Sequence, residues 1–339
     1  MNLQPMPSAP LPTVSPMLVR DLQDGQDVDQ VLLVRAAETR RRRDGSAFMR
    51  LSLGDRSGQV VAILSDGVAE VQDLCRPGRP VRVEGCFERH ARWGPQIAVR
   101  ALGEPAPGSF DLADLVDGPA RSAQQMEADL RELVETIQDP HLRALLERIL
   151  GAHTDSGRRY RRAPAAKHYH QAYVHGLLEH SVSVAQGVHA LAARFPGIDH
   201  DVAVTGALLH DIGKLEAYTS DPICIDLTDA GRLQGEIALG YYRVRRAIED
   251  LPGFPPATAQ AVLHIILSHH GSLEHGSPVV PCTREATLVH HIDNLGGRLG
   301  SFDRLEKALA PGESWTPFDR GIGSSAYFGP PGFDERQAA

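Results

Sequence analysis

A histidine and an aspartate stand side by side at His210-Asp211, where an apolar stretch predicts the end of a helix. An imidazole and a carboxylate can bind one metal ion together, and the second carboxylate oxygen can bridge to another ion. Further residues of the same types are spaced along the chain at His180, Glu236, His269-His270 and Asp293. Thirteen of the sixteen histidines lie between residues 168 and 291, so this clustering predicts a metal site.

A mixed set of nitrogen and oxygen ligands is typical of catalytic metals rather than of thiolate-rich structural zinc. We therefore predict two divalent metal ions, with Mn²⁺ as the first choice and Fe, Co or Mg as alternatives. Two ions about 3.5–4 Å apart can activate a water and stabilise the leaving oxygen of a phosphodiester. The pattern thus indicates a hydrolase that acts on phosphate esters.

Composition limits the class of protein. A chain of 339 residues with 42% hydrophobic and 23% charged residues predicts a soluble protein of two domains. No apolar run reaches the roughly 20 residues of a membrane span. The four cysteines form no CxxC pair, which favours a reducing cytoplasm. A net charge of −8 excludes a strongly basic protein, so any contact with nucleic acid must come from local patches.

Residues 1–17 predict a loose tail, and residues 18–104 predict short strands separated by turns. Five strands with a helix near residues 67–74 are typical of an OB-fold, a barrel that binds oligonucleotides. Phe48 and Trp93 could stack on bases, whereas phosphates would be neutralised by arginines at positions Arg41, Arg43, Arg50 and Arg92. The alternative, an ordinary solvated surface, stays open for each of these residues.

The remainder of the chain predicts helices. Residues 105–157 form a linker and two connector helices that separate at Asp139-Pro140. Residues 158–310 predict a helical domain, with one long helix over 165–195 and another that begins at Thr228 or Asp229 and carries Glu236. Residues 311–339 form a Pro/Gly-rich tail whose aromatic residues predict docking on the rest of the protein.

Several short motifs surround the candidate ligands. They are Pro164-Ala165-Ala166-Lys167, His170, Gly176-Leu177-Leu178-Glu179-His180, Leu209 to Lys214, Ile266 to Gly271 and His291-Ile292-Asp293-Asn294. Together they resemble the HD-domain phosphohydrolases. The order of barrel, connector and helical domain is similar to that of the YhaM-type 3′–5′ exoribonuclease family. This resemblance implies an all-β OB-fold barrel followed by an all-α HD-domain fold.

Carried over by position, the resemblance implies one metal bound by His180, His210, Asp211 and Asp293. A second ion would be bound by the bridging Asp211 together with His269, His270 and Glu236. Lys214 would stabilise charge on the phosphate as a catalytic residue, and His170 would contact the substrate.

The chain departs from this family at two places. Where the family usually has Gly-His-Ile, this chain has Gly235-Glu236-Ile237, and where the family usually has a His-His pair it has His170-Gln171. A carboxylate is a good ligand for Mn²⁺, so we expect Glu236 to keep the second site in an electrostatically altered form. The alternative is a weakened second site with lower activity.

These observations predict a cytoplasmic, metal-dependent 3′–5′ exonuclease of single-stranded RNA, with DNA as a further substrate. The barrel would capture the strand, and the helical domain would cleave it. Two alternatives stay open: a phosphohydrolase of nucleotides or cyclic dinucleotides, and a nucleic-acid-binding protein with a regulatory metal site. No membrane partner is expected, and self-association into a homo-oligomer is left open.

Overall fold

A computed structural model describes residues 17–42, 44–90, 93–116, 118–119, 121–166, 171–219, 225–309 and 312–329. The chain divides into two compact units, of which the first ends at Leu115 and the second begins at Val116. The first unit contains a closed five-stranded barrel and the second is helical, which confirms the predicted fold class. No helix within the described ranges has the length and apolar character needed to cross a membrane.

The barrel contains the five strands that the sequence predicts. Its strands are β1 (Gln26–Arg41), β2 (Ala47–Asp55), β3 (Gly58–Leu64), β4 (Pro80–His90) and β5 (Gly94–Gly103). They close in the order β1-β2-β3-β5-β4, with β3 and β5 parallel and the other pairs antiparallel. The helix expected near residues 67–74 is a single turn, α1 (Val68–Val71), and another turn, α2 (Leu112–Leu115), follows the barrel.

Alternation along β2 sets which side chains face solvent. Met49, Leu51 and Leu53 are buried in the barrel core, whereas Phe48 and Arg50 lie on the outer face. Because side chains alternate between the two faces of a strand, a shift of one residue would expose the whole apolar set. The buried leucines therefore fix the position of the outward residues as well.

Ten α-helices build the described part of the second unit. They are α3 (Ala123–Thr136), α4 (Pro140–Leu150), α5 (Asp155–Arg162), α6 (Gly176–Ala192), α7 (His200–Leu209), α8 (Lys214–Ala217), α9 (Asp229–Gln234), α10 (Glu236–Glu249), α11 (Pro256–Ser268) and α12 (Arg284–Ala308). Their apolar faces share one core, which contains residues from α3 and α4 as well as from the helices that carry the candidate ligands. The connector helices therefore belong to this unit.

Polar residues begin these helices at the places that the sequence indicates. Ser122 and Gln125 form a reciprocal capping box at the start of α3, and the Asp139 carboxylate accepts from the first backbone N–H groups of α4. The Asp199 carboxylate accepts from the backbone N–H of Val202 at the start of α7. Such caps satisfy amide groups that have no partner within the helix.

Two helix boundaries differ from the sequence prediction. The helix expected over 165–195 begins only at Gly176, because Gln171 and His175 have φ values of 55° and 72°, which no α-helix accommodates. The helix expected from Thr228 or Asp229 ends at Gln234. Gly235, with a φ of 77°, separates it from α10, so that Glu236 is the first residue of its own helix.

The described part of the C-terminal segment packs against the end of α12. Ile322 and Ala326 are buried with Leu305, and the rings of Phe302 and Phe328 lie 6.2 Å apart. The segment and the end of α12 therefore form a small apolar cluster, separate from the main core of the second unit, and this cluster includes the ring of Phe328.

Backbone packing brings α10 close to the turn that follows α7. A Cβ added at Gly213 would lie 2.0 Å from the carbonyl oxygen of Glu236 and 2.5 Å from the backbone nitrogen of Gly240. Only glycine permits this approach, which sets the position of Glu236 relative to Asp211.

We expect Gly213→Ala to lower the free energy of unfolding by about 1–3 kcal/mol, because the added methyl group forces two backbone segments apart. Urea unfolding followed by circular dichroism would measure the change. Gly296→Ala is the matched control, since Gly296 lies in α12 with no atom within 4 Å of an added Cβ. It should stabilise the protein by about 0.5–1 kcal/mol. Equal stability of Gly213→Ala and the unchanged protein would contradict the tight packing.

Candidate metal centre and nucleic-acid interface

The seven residues predicted as metal ligands lie in two neighbouring clusters. The first cluster contains His180, His210 and Asp293, and the second contains Asp211, Glu236, His269 and His270. Within each cluster, the atoms that could bind an ion lie within 4.8 Å of one another. Five helices or helix ends, separated widely in the sequence, supply these side chains.

Asp211 contacts both clusters. Its Oδ2 lies 3.2 Å from Nε2 of His180 and 3.3 Å from Nε2 of His210, whereas its Oδ1 lies 3.5 Å from Nε2 of His269. Each carboxylate oxygen thus faces a different cluster, which is the arrangement that a bridging ligand requires.

The remaining ligands complete the two clusters. Nε2 of His180 lies 3.0 Å from Oδ1 of Asp293, which projects from α12. Nε2 of His270 lies 3.4 Å from Oε1 of Glu236, so Glu236 faces the second cluster despite its departure from the family pattern. The structure therefore brings all seven predicted ligands together.

The four histidines share one orientation, with Nδ1 directed away from the centre and Nε2 towards it. Nδ1 of His210 lies 2.7 Å from the carbonyl of Ala207, and Nδ1 of His269 lies 2.8 Å from that of Ile266. Nδ1 of His270 lies 2.9 Å from the carbonyl of His275. A carbonyl only accepts, so each of these Nδ1 atoms carries a proton, and each Nε2 can offer a lone pair to an ion once Nε2 itself is deprotonated.

Two of these orientations follow from helix termination. His210 and His269 are the C-terminal cap residues of α7 and α11, and each ring contacts the carbonyl three residues earlier. Carbonyls in the last turn of a helix have no partner within the helix. In the sequence, this arrangement corresponds to a histidine directly after an apolar helix, a pattern that predicts the ligand but not the orientation of its ring.

The residues fit divalent metal ions. Among the atoms that the structure describes, Oδ1 of Asp211 and Nε2 of His269 are buried without a hydrogen-bond partner. Buried polar atoms are nearly always satisfied, so two such atoms that face each other call for a cation between them. Three carboxylates and four imidazole nitrogens supply hard and borderline ligands without any thiolate.

Lys214 contacts the bridging carboxylate. Its Nζ lies 2.7 Å from Oδ2 of Asp211, and its side chain is only 10% exposed. Burial opposes the charged ammonium, but the charges of Asp211 and Glu236 outweigh burial and raise the pKa of Lys214. Lys214 is therefore a permanent positive charge at the centre, while its predicted contact with a phosphate stays a prediction.

Charges in the first cluster and on the neighbouring Asp211 shift the pKa values of these residues in opposite directions. Burial acts against the ionised carboxylates, but Lys214 and His210 outweigh it and hold the pKa of Asp211 well below its usual range. Asp293 shows the same direction, owing to His180 and His210. Burial likewise opposes the imidazolium of His210, yet Asp211 and Asp293 raise its pKa to about 10. Without an ion, protons therefore neutralise this cluster.

In the second cluster, the direction of the pKa shift differs between the two histidines. Burial dominates at His269 and lowers its pKa, so this imidazole is neutral near pH 7. Burial opposes charge at Glu236 and His270 also. The charge of Lys214 nevertheless lowers the pKa of Glu236, and the hydrogen bond that His270 donates to Glu236 raises the pKa of His270. Glu236 is thus an ionised carboxylate, as a metal ligand must be.

The outer face of β2 carries part of the predicted nucleic-acid interface. Arg50 is exposed and Phe48 is half-buried, and both lie on the same face of the strand. The guanidinium of Arg42 lies 5.3 Å from the centroid of the Phe48 ring, which places a cation beside an aromatic surface. This combination suits a stacked base and its phosphate.

Other predicted contacts lie elsewhere on the barrel. Arg41 pairs with Ala47, one position beyond the pair formed by Arg40 and Phe48, so alternation places Arg41 on the opposite face. Trp93 is 65% exposed, but it follows β4, whose end pairs with the start of β1 rather than with its arginine-rich end. Arg41 and Trp93 therefore do not extend the surface formed by Phe48 and Arg50.

Three predicted site residues, His170, Arg43 and Arg92, lie outside the described residues. Their roles stay predictions.

Comparison with known proteins identifies two kinds of similarity. A family model for the HD domain matches residues 177–297. The 3′–5′ exoribonuclease YhaM of Bacillus subtilis (strain 168) is 29% identical over 290 residues, which cover 85% of this chain and 90% of that protein. The protein of the same name from Geobacillus sp. (strain WCH70) is also 29% identical over 290 residues, which cover 88% of its length. The resemblance predicted from the motifs is confirmed.

We expect metal affinity to rise with pH. Because the pKa of His210 is raised to about 10, its imidazole is protonated at pH 7, and an ion can bind only if that proton leaves. Each proton displaced in this way increases the apparent affinity for Mn²⁺ about tenfold per pH unit between pH 7 and 8.5. Isothermal titration in buffers of different ionisation enthalpy would count the released protons. Affinity that does not change over this range, with no proton release, would contradict the protonated His210.

Proposed function

Since this chain carries an HD domain and is a homologue of the YhaM-type 3′–5′ exoribonucleases, we propose that it digests single-stranded RNA from the 3′ end. The observation that carries this proposal is the Asp211 carboxylate, whose two oxygens face two separate ligand clusters. The barrel unit would bind the strand, and the helical unit would hydrolyse its phosphodiester bonds.

Two divalent ions bound by these residues would activate a water and stabilise the charge on the phosphate and the leaving oxygen. The residues of the chain prepare the site for that chemistry. Asp211 faces both clusters, and Nζ of Lys214 donates a hydrogen bond to Oδ2 of Asp211. The ammonium of Lys214 also adds a positive charge near the place where the phosphate must lie, which stabilises a developing negative charge.

Charge also explains why the ions would be needed for substrate binding. Asp211, Glu236 and Asp293 all keep ionised carboxylates, whereas Lys214 adds a single permanent positive charge. When ions bind and the proton on His210 leaves, the ions would supply the positive charge that attracts a polyanionic strand. We propose Mn²⁺ as the native ion because the ligands are carboxylates and imidazoles.

The substrate class rests on the barrel unit. The Phe48 and Arg50 surface provides an aromatic ring and a cation, which suit an unpaired strand of either RNA or DNA. The two relatives are named exoribonucleases, so RNA is the first choice and DNA the second. The described cysteines, Cys75, Cys86 and Cys282, are free thiols, which suits the reducing cytoplasm that we propose for this enzyme.

We expect Asp211→Ala to abolish hydrolysis, with a loss of more than about 1,000-fold, because both clusters lose their shared ligand. The assay uses Mn²⁺ and a single-stranded RNA labelled at the 5′ end, on which a 3′–5′ exonuclease yields a ladder of shortened strands. The same RNA labelled at the 3′ end should release labelled mononucleotide at once. DNA of the same sequence, measured in parallel, decides the preference.

Asp250→Ala is the matched control for this assay, because Asp250 caps α10 at the surface and pairs with Arg148 far from the ligands in sequence. It should retain full activity. Most of the activity remaining in Asp211→Ala would overturn the two-metal proposal, and internal fragments from both labels would overturn the exonuclease proposal.

The barrel surface generates a separate prediction. Phe48→Leu should weaken binding of a long single strand by about 5- to 150-fold, since one aromatic stack contributes about 1–3 kcal/mol. Cleavage of a dinucleotide should not change. Phe195→Leu, which alters another exposed phenylalanine in the helical unit, should bind like the unchanged protein. Fluorescence anisotropy with labelled RNA would measure both affinities, and equal values for the two variants would contradict a role for Phe48.

A further inference from the structure

His180 differs from the other candidate ligands in the partner of its Nδ1 atom. The described structure pairs Nδ1 of His210, His269 and His270 with backbone carbonyls. Nδ1 of His180 instead lies 3.1 Å from Oε1 of the Gln171 side chain. A backbone carbonyl can only accept a hydrogen bond, whereas an amide group can turn and offer either its oxygen or its NH₂ group.

The buried carboxylate of Glu179 determines which end of the amide faces His180. Nε2 of Gln171 lies 3.5 Å from Oε2 of Glu179, and the hydroxyl of Tyr173 donates to the same oxygen. Nε2 of Gln171 is the donor in this contact, so the NH₂ group of Gln171 faces Glu179. The amide oxygen then faces Nδ1 of His180, which must carry the proton.

The backbone holds Gln171 in this place. Gln171 and His175 both have positive φ values, an uncommon conformation for residues other than glycine. The carbonyl of Gln171 accepts from the backbone N–H of Ala165 at 3.1 Å, and a Cβ added at Gly176 would lie 2.0 Å from that carbonyl. Strained backbone of this kind persists where the surrounding structure requires it, often beside a functional site.

From this geometry we infer that Gln171 is a positioning residue that keeps the Nε2 lone pair of His180 directed at the first metal cluster, with Glu179 as its orienting partner. Were the amide reversed, its NH₂ group would meet Nδ1, and the ring proton would move to Nε2, where it blocks metal binding. Partners of this type beyond the ligands typically change metal affinity by about 10- to 100-fold.

The inference rests on the proposed metal centre, and its test measures metal binding without any RNA. Isothermal titration of the full chain with Mn²⁺ should resolve two sites in the unchanged protein. Gln171→Met removes the amide at nearly constant volume, so the affinity of one site should fall about 10- to 100-fold, whereas the other should stay within about twofold. A loss of Mn²⁺ affinity at one site alone would distinguish a positioning role of Gln171 from a general destabilisation of the fold.

A paired exchange provides the rescue. In Gln171→Glu/Glu179→Gln, the carboxylate at position 171 accepts from Nδ1 of His180, and the amide at position 179 donates to that carboxylate. We expect this double variant to recover at least half of the affinity for Mn²⁺ that Gln171→Met loses, measured on a logarithmic scale. Gln125→Met is the matched control, because Gln125 also forms a side-chain hydrogen bond but belongs to the capping box of α3. It should bind both ions like the unchanged protein.

The outcomes distinguish this inference from the metal centre itself. If the unchanged protein binds no Mn²⁺, the metal centre and the inference both fail. If it binds two ions and Gln171→Met binds both with equal affinity, only the role of Gln171 fails. Equal weakening of both sites without recovery in the double variant would show a merely structural role, which also overturns the inference. Thermal unfolding of each variant confirms that the fold is retained.

Discussion

An ionised carboxylate buried deep in a protein must be surrounded by partners, and Asp211 is such a group. It is 3% exposed, and its two oxygens face three imidazole rings and one ammonium group. Removing a charge from water costs far more free energy than a single hydrogen bond returns, so several elements must converge on this side chain. The helices of this unit are arranged so that their side chains surround Asp211.

The ends of two helices bring several of these side chains to Asp211. α7 and α11 both terminate at the centre, and their cap residues His210 and His269 use the unpaired carbonyls of the last turn to fix their rings. The carboxyl ends of helices also carry partial negative charge, which favours a nearby cation. One structural feature thus satisfies the helix terminus, orients the ligand and improves the site for a metal ion.

The two units differ in the distribution of charge. Between Leu18 and Glu104 the chain has 14 arginines against 13 acidic residues, so the barrel is close to neutral with local cationic surfaces. The helical unit instead concentrates carboxylates at its centre. Lys214 and the proton on His210 offset part of that charge, and an ion that binds there would replace the proton.

Much of this protein was predictable from local sequence. The apolar alternation in β2, the cap residues Ser122, Asp139 and Asp199, and the class of each unit follow from short-range periodicity and chemistry. The ligand types were predictable as well, because His210-Asp211 and His269-His270 end apolar helices. These features depend on residues within one or two turns of each other, and such interactions leave a direct trace in the sequence.

Only the tertiary structure decided how those parts meet. The start of α6 at Gly176 and the separate helix that begins at Glu236 both depend on positive φ values and on close backbone packing, which periodicity does not encode. The sequence marked Gln171 as a departure from a family pattern, but its contact with His180 requires a turn that folds back on the helix. Likewise, alternation and strand register separated Arg41 and Trp93 from Phe48. These outcomes depend on contacts between residues distant in the chain, so a linear pattern specifies the chemical groups while three-dimensional packing determines which atoms face one another.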